Sequence, residues 1–322
     1  MKIGVVGAGA LGSYYGGRLS RAGVEVHLLL RTDYDVVCEH GLSIQSPDGD
    51  FTVFPHAHCG PDTIGICDLV LVSLKTTAND QYQELLGPLV NSSTAILCLQ
   101  NGLGNCEQLA ALFGKERVLA GLCFVCLNRA EPGVVQHQGF GKIVLGEFNR
   151  VAQPRTREIA EIFKQSGVSC EVVDELGGGL WEKLVWNIPF NGLGVAASAG
   201  PNALESGKIP EVLGHAWTTD RLLADTGWEE RIRELMREII NIAAAKNIGL
   251  KPELADRMIN NTRSMGAYRP STVIDFEQGR PFELESMFLE PLRQARAANV
   301  SVPRLEALCI VLKKLASYLP HP

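Results

Sequence analysis

No apolar run in the chain approaches the roughly 20 residues that a membrane-crossing helix needs. There is no basic tract, no internal repeat and no low-complexity segment. Lys plus Arg number 30 against 36 Asp plus Glu, a formal charge of −6, so the chain has no electrostatic reason to seek nucleic acid or an anionic membrane. A disulfide framework is missing too: the 9 cysteines are odd in number and scattered. Cys123 and Cys126 form a C-x-x-C inside a strand-like run, but no second such pair completes a zinc site, so they read as core thiols and no metal site is expected. His56-Ala57-His58 reads as a solvated loop. The start carries glycines, with Arg18 and Arg21 where a leader would be cleaved, which argues against a secretory signal and for the cytoplasm.

What is present is an ordinary globular composition, 46% apolar and 20% charged, in 322 residues, enough for two domains with substantial cores. The chain begins with a short apolar strand, Lys2 to Val6, that runs into Gly7-Ala8-Gly9-Ala10-Leu11-Gly12. Apolar residues at helical spacing follow at Leu11, Tyr15 and Leu19. A G-x-G-x-x-G between a strand and a helix is the dinucleotide-binding context: Gly7 for the tight turn, Gly9 for approach of a pyrophosphate, Gly12 for close helix packing. A second strand, Val24 to Leu30, ends at Arg31. An acidic residue there would suit the ribose hydroxyl of NAD, whereas a guanidinium suits the 2′-phosphate of NADP, so NADP(H) is the expected cofactor. Asp33 and Asp35 follow closely, and a loop could bring either one back.

Leu42 to Gln45 and Phe51 to Phe54 read as two short strands. Asp68 to Lys75 and Thr94 to Gly102 read as buried strands whose polar ends place Lys75, Thr76, Gln100, Asn101 and Gly102 at the carboxyl edge of a sheet, where ligands of open α/β sheets bind. Helical patterns cover Asn79 to Leu89, Asn105 to Phe113 and Pro154 to Gln165. Further strands are expected at Val118 to Leu127, Val134 to Gln138, Lys142 to Gly146 and Val168 to Val173. From Gly177 nearly everything reads as helix. The predicted architecture is an α/β Rossmann-type domain over 1–174 followed by an all-α domain over 175–322, with Gly177-Gly178-Gly179 as a flexible joint.

The helix from Leu180 to about Ala197 carries Lys183, Asn187 and Asn191 at i, i+4 and i+8, one polar stripe on a surface otherwise sheathed in Leu, Val, Trp, Ile and Phe. One lysine with two asparagines suits a partly dry cleft better than a solvent face. Pro189 inside it is expected to kink the helix. Helices are predicted at Trp228 to Asn247, Pro252 to Ser264, Glu283 to Ala298 and Pro303 to Tyr318, with a loop from Gly266 through Gly279-Arg280-Pro281.

Along nearly its whole length the chain resembles the ketopantoate reductase (2-dehydropantoate 2-reductase) family. The glycine loop, Lys75, Gln100-Asn101-Gly102, Leu180-Trp181-Glu182-Lys183-Leu184-Val185-Trp186-Asn187 and Gly279-Arg280-Pro281-Phe282-Glu283-Leu284-Glu285 carry the likeness. Phe282 and Glu285 stand where the family commonly has Thr and Asp, and the segment after Ser264 is longer than expected. The resemblance implies NADPH-dependent reduction of a 2-keto acid, ketopantoate to pantoate, in pantothenate and coenzyme A biosynthesis. It implies Lys183 and Glu283 as the catalytic pair, and Asn101, Asn187, Asn191, Asn202, Asn261 and Ser264 about the substrate. The cofactor would fall to Gly7, Ala8, Gly9, Ala10, Leu11, Gly12, Arg31, Lys75, Gln100 and Asn101. The only partner implied is the small-molecule substrate, with a homodimer left open. A hydroxy-acid or polyol-phosphate dehydrogenase would share the glycine loop and helical lysine, and a non-catalytic NADP(H) sensor would share the loop alone.

Overall fold

The computed structural model describes residues 1–320. The chain divides into two compact units, Met1–Asn101 with Asn105–Leu176, and Gly102–Gly104 with the residues from Gly177 onward.

The first unit is built on ten strands: β1 (Lys2–Val6), β2 (Glu25–Leu29), β3 (Leu42–Gln45), β4 (Phe51–Val53), β5 (His56–His58), β6 (Leu69–Val72), β7 (Ala95–Cys98), β8 (Val118–Glu131), β9 (Val134–Glu147) and β10 (Cys170–Val172). The sheet order is β4-β3-β9-β8-β7-β6-β1-β2-β5, with β10 on β9. Pairs from β5 through β2, β1, β6 and β7 to β8 are all parallel. The chain leaves β1 toward β2 and β5, then returns to lay β6, β7 and β8 on the other side. The strand order thus reverses beside β1, the crevice where ligands of such sheets bind. The helices of this unit are α1 (Ala10–Arg21), α2 (Tyr34–His40), α3 (Tyr82–Leu86), α4 (Asn105–Phe113) and α5 (Pro154–Gln165).

Two local expectations are corrected. His56–His58 is not a solvated loop but an edge strand, held on β2 by the ladder and by side chains: the His27 and His58 rings are hydrogen-bonded at 2.8 Å, and the His56 ring stacks on His27 at 4.6 Å. The two strands predicted between Val134 and Gly146 are one 14-residue strand, the partner of β8 in a long hairpin. Phe140 (φ 64°) and Gly141 (φ 120°) bulge the strand without ending it.

The hairpin ends on Glu147, whose carboxylate has no solvent exposure and accepts hydrogen bonds from Arg150, Arg155 and Thr156. Burial alone pushes this acid up, but the bonds from Arg155, Thr156 and Arg150 outweigh it and hold the carboxyl below the ordinary range. A depressed folded-state pKa stabilises the fold above the unfolded carboxylate value, near 4.3, and that contribution disappears as pH falls through the folded value. Glu147→Gln should cost about 1–3 kcal/mol at neutral pH, and melts taken from pH 7 down to 3 should show its deficit against the wild type closing. A pH-independent deficit would contradict this account.

The second unit is helical: α6 (Gly177–Ala196), α7 (Pro201–Ser206), α8 (Thr219–Ala224), α9 (Thr226–Ala245), α10 (Leu254–Arg263), α11 (Ser271–Glu277), a π-helical turn Glu285–Leu289 running into α12 (Glu290–Ala297), and α13 (Pro303–Ala316). No described helix is long and apolar enough to cross a membrane. The core gathers Trp181, Ile188 and Phe190 of α6, Ile232 and Ile239 of α9, Phe288, and Leu308 and Leu312 of α13. Gly177-Gly178-Gly179, expected as a flexible joint, is helical: it forms the first turn of α6, which stays helical through Pro189. α11 falls where a loop was predicted. Its seven residues are too few for a periodic pattern to stand out, and its N-terminus is fixed from α6 instead.

Candidate active site

The glycine turn follows directly from the sheet. Gly7 leaves β1 at φ +97°, and a Cβ there would lie 2.3 Å from the Leu74 backbone nitrogen. A Cβ on Gly12 would meet Ser73 Oγ at 2.4 Å and the Gly7 carbonyl at 2.5 Å. The protein itself forces both to be glycine. Gly9 differs: a Cβ there would meet nothing within 4 Å. Its lack of a side chain serves no internal contact and leaves the backbone open to an outside group. It caps α1 with no side-chain acceptor, and no acid occupies the first turn, so the amide ends of the helix, with their partial positive charge, are available to an anion. Ala8, Ala10 and Leu11 lie half-buried around the turn. These features fit a dinucleotide pyrophosphate.

Arg31 is exposed two residues past the end of β2. Asp33 is only 6% exposed. One carboxylate oxygen accepts from Arg129 and from Thr32 Oγ1 (3.0 Å), and the other from the Gly133 amide (3.1 Å). Asp35 is exposed in the first turn of α2.

Lys75 is exposed beyond β6, where its carbonyl accepts the Ala78 amide at 3.0 Å. Gln100 is not presented as a cofactor ligand. Its amide hydrogens go to the Leu74 carbonyl (3.1 Å) and Asn79 Oδ1 (2.9 Å), and its oxygen accepts from Tyr82. The chain continues from Asn79 to Asn105 (2.8 Å) and from Asn105 to the carbonyl of Asn101 (2.9 Å). Gln100 thus braces the strand-end loops that carry Lys75 and Asn101. The sequence signal for its partners was weak, because Asn79 and Asn105 read as ordinary helix-start polars. After Asn101, Gly102 takes φ +84°, with Ser286 backbone atoms 2.5 Å from where a Cβ would be, and the Leu103 amide donates to the Ser286 carbonyl at 2.9 Å.

In the helical unit the predicted stripe is buried: Asn187 is 8% and Asn191 2% exposed, with Lys183 half-buried. It is not a solvent face. Asn191 donates to the Asn187 carbonyl (3.0 Å) and accepts the Thr272 amide (3.0 Å), capping α11 from α6. Trp186 Nε1 donates to Thr262 Oγ1 (2.8 Å), tying α10 to the same helix. Asn261 and Ser264 are exposed at the end of α10, joined by Ser264 Oγ to the Asn261 carbonyl (2.7 Å). Asn202 is exposed on a different helix, α7. Glu283 is 5% exposed and sits just before the π-turn, a feature frequent at functional sites. The bend that delivers it closes on the buried Asp275, which pairs with Arg280 at 3.0 Å and, through its carbonyl, accepts the Arg280 amide at 2.8 Å.

Residues 3–150 match the family described as ketopantoate reductase PanE/ApbA, and residues 211–316 match the one described as ketopantoate reductase PanE/ApbA C terminal. The 2-dehydropantoate 2-reductase of Nostoc sp. is 37% identical, over 98% of this chain and 95% of its own length. The crystal structure of 2-dehydropantoate 2-reductase from Geobacter metallireducens superposes with a TM-score of 0.89 at 43% identity, covering 98% of this chain and 99% of that one. A D-mandelate dehydrogenase solved with NADH and anilino(oxo)acetate shares the fold, with a TM-score of 0.82 at 21% identity over 98% and 99% of the two chains. Both units are matched and the likeness runs end to end: this chain belongs to the ketopantoate reductase family.

Proposed function

We propose that the chain reduces 2-dehydropantoate to pantoate with NADPH, residues 1–174 holding the cofactor and 175–322 the substrate. The reading is carried by the α6 stripe of half-buried Lys183 and buried Asn187 and Asn191, in a chain whose family match spans both units. When bound, NADPH supplies a hydride to the keto carbon. The chain's own residues manage the charge that follows. The Lys183 ammonium stabilises the developing negative charge on the carbonyl oxygen and gives that oxygen its proton. Glu283 fixes the lysine or takes the substrate hydroxyl. Asn101, Asn187, Asn261 and Ser264 orient the substrate, with Asn202 further out, while Asn191 caps α11 from α6, the helix that carries Asn187. The backbone from Gly7 to Gly12 takes the pyrophosphate, Arg31 the 2′-phosphate, and Lys75 and Asn101 the rest of the cofactor, braced by Gln100. A cytoplasmic location, consistent with the scattered odd cysteines, and a homodimeric assembly complete the proposal.

The test is NADPH oxidation with ketopantoate beside a panel of other 2-keto acids. Ketopantoate should give the highest kcat/KM. Faster turnover of another acid would reassign the substrate, and no turnover of any would leave a cofactor-binding protein. Arg31→Ala should weaken NADPH roughly 10- to 100-fold, the loss of charge-assisted bonds worth about 1.5–3 kcal/mol, and leave NADH nearly untouched. Equal loss for both cofactors would remove Arg31 from phosphate recognition.

A further inference from the structure

Two residues past Arg31 stands a carboxylate, in the region where a sheet of this kind places the acid that selects NAD. Left to itself Asp33 would do two things: offer a hydrogen-bond acceptor to a ribose hydroxyl, and repel the dianionic 2′-phosphate. In the structure it is placed for neither: it is turned inward and only 6% exposed. All the partners that hold it there, apart from its neighbour Thr32, come from one distant element, the β8–β9 hairpin. Arg129, near the end of β8, pairs with Asp33 Oδ1 and also donates to Thr32 Oγ1 at 3.0 Å. The Gly133 amide, in the turn between the two strands, donates to Oδ2 at 3.1 Å. The hairpin turn is set beside this loop by the ladder between β3 and β9, in which the Gly133 carbonyl accepts the Ser43 amide at 2.9 Å.

We infer that Arg129 is a specificity-determining positioning residue: by sequestering and neutralising Asp33 it clears the end of β2 for the 2′-phosphate, so preference for NADPH over NADH depends on Arg129 as well as on Arg31. The inference rests on the NADPH reading above. Arg129 acts through Asp33. Its side chain is 39% exposed, and its guanidinium supplies the counter-charge that lets a carboxylate stay beneath the loop. Without it, the acid is either buried unpaired or released toward the ribose, and both outcomes favour the cofactor that lacks a phosphate.

The experiment measures dissociation constants of NADPH and NADH by the fluorescence of the bound nicotinamide, together with thermal unfolding, for wild type, Arg129→Gln and Arg129→Gln/Asp33→Asn. In Arg129→Gln the ratio of the NADH to the NADPH constant should fall roughly tenfold or more, the scale of an exposed like-charge clash. In the double variant, where the freed side chain is neutral, the ratio should return to the wild-type value. The inference is overturned if Arg129→Gln weakens both cofactors equally or neither, since a purely structural role moves the melting temperature but not the ratio. It is also overturned if the double variant fails to recover, since Arg129 would then touch the phosphate itself. Failure of the NADPH reading looks different: the wild type would already bind the two cofactors alike.

Discussion

Lys183→Ala should lower kcat by about two to four orders of magnitude while the dissociation constant of NADPH changes little. That range is what removing a general acid and an oxyanion-stabilising charge costs in comparable reactions. The separation of the two effects follows from where the residues sit. Lys183 belongs to α6 in the helical unit, whereas the glycine turn and Arg31 belong to the sheet unit. Steady-state kinetics and direct NADPH titration of the same variant check it together. A variant turning over at near-normal rates would show that the proton and the charge stabilisation come from elsewhere, and a variant that lost NADPH binding would show that the lysine contributes to the cofactor site.

The second large effect belongs to Gly7. An alanine there would have to hold φ +97°, a conformation costing about 1–3 kcal/mol for a residue with a Cβ, and would press that Cβ to 2.3 Å from the Leu74 nitrogen, an overpacking of about another 1–3 kcal/mol. The obstacle is backbone, so no flexible side chain can give way. Gly7→Ala should lower the melting temperature of the sheet unit by several degrees and abolish measurable NADPH binding. Gly9→Ala is the contrast: nothing in the protein opposes its methyl, so stability should be kept while cofactor affinity falls. If Gly9→Ala bound NADPH like the wild type, the open space above Gly9 would not be the pyrophosphate site.

Much of this was legible in the sequence where the signal was local. The glycine turn sits between a strand and a helix as the motif demands, and α4 and α5 begin and end where their patterns did, at Asn105–Phe113 and Pro154–Gln165. The buried asparagines of α6 were readable because a stripe lacking Glu and Arg makes a poor solvent face. What escaped was non-local. The expected strands stop at Gln138 and resume at Lys142, leaving out Gly139-Phe140-Gly141, yet the β8 ladder carries β9 through them, with Phe140 and Gly141 at positive φ. The role of Gln100 depends on Tyr82 and Asn79, and the fate of Asp33 on Arg129, 96 positions away. No window along the chain contains those pairs. The segment from Met265 to Ser271, longer than expected, is anchored where the Thr219 hydroxyl donates to the Gly266 carbonyl (2.9 Å) and the Thr219 amide to that of Tyr268 (3.0 Å).

The crowding along α6 bears on how this protein could acquire a new substrate. A methyl on Gly192 would come within 2.8 Å of the Phe288 ring, one on Gly194 within 2.6 Å of Val273, and Asn191 is committed to α11, so the middle of α6 cannot drift without dislodging its neighbours. Asn261, Ser264 and most of the stretch that follows are exposed and carry little of that packing. The exposed stretch is thereby free to change while α6 is held. Descendants of this chain with altered appetites should differ from it between 264 and 269 long before they differ between 187 and 194.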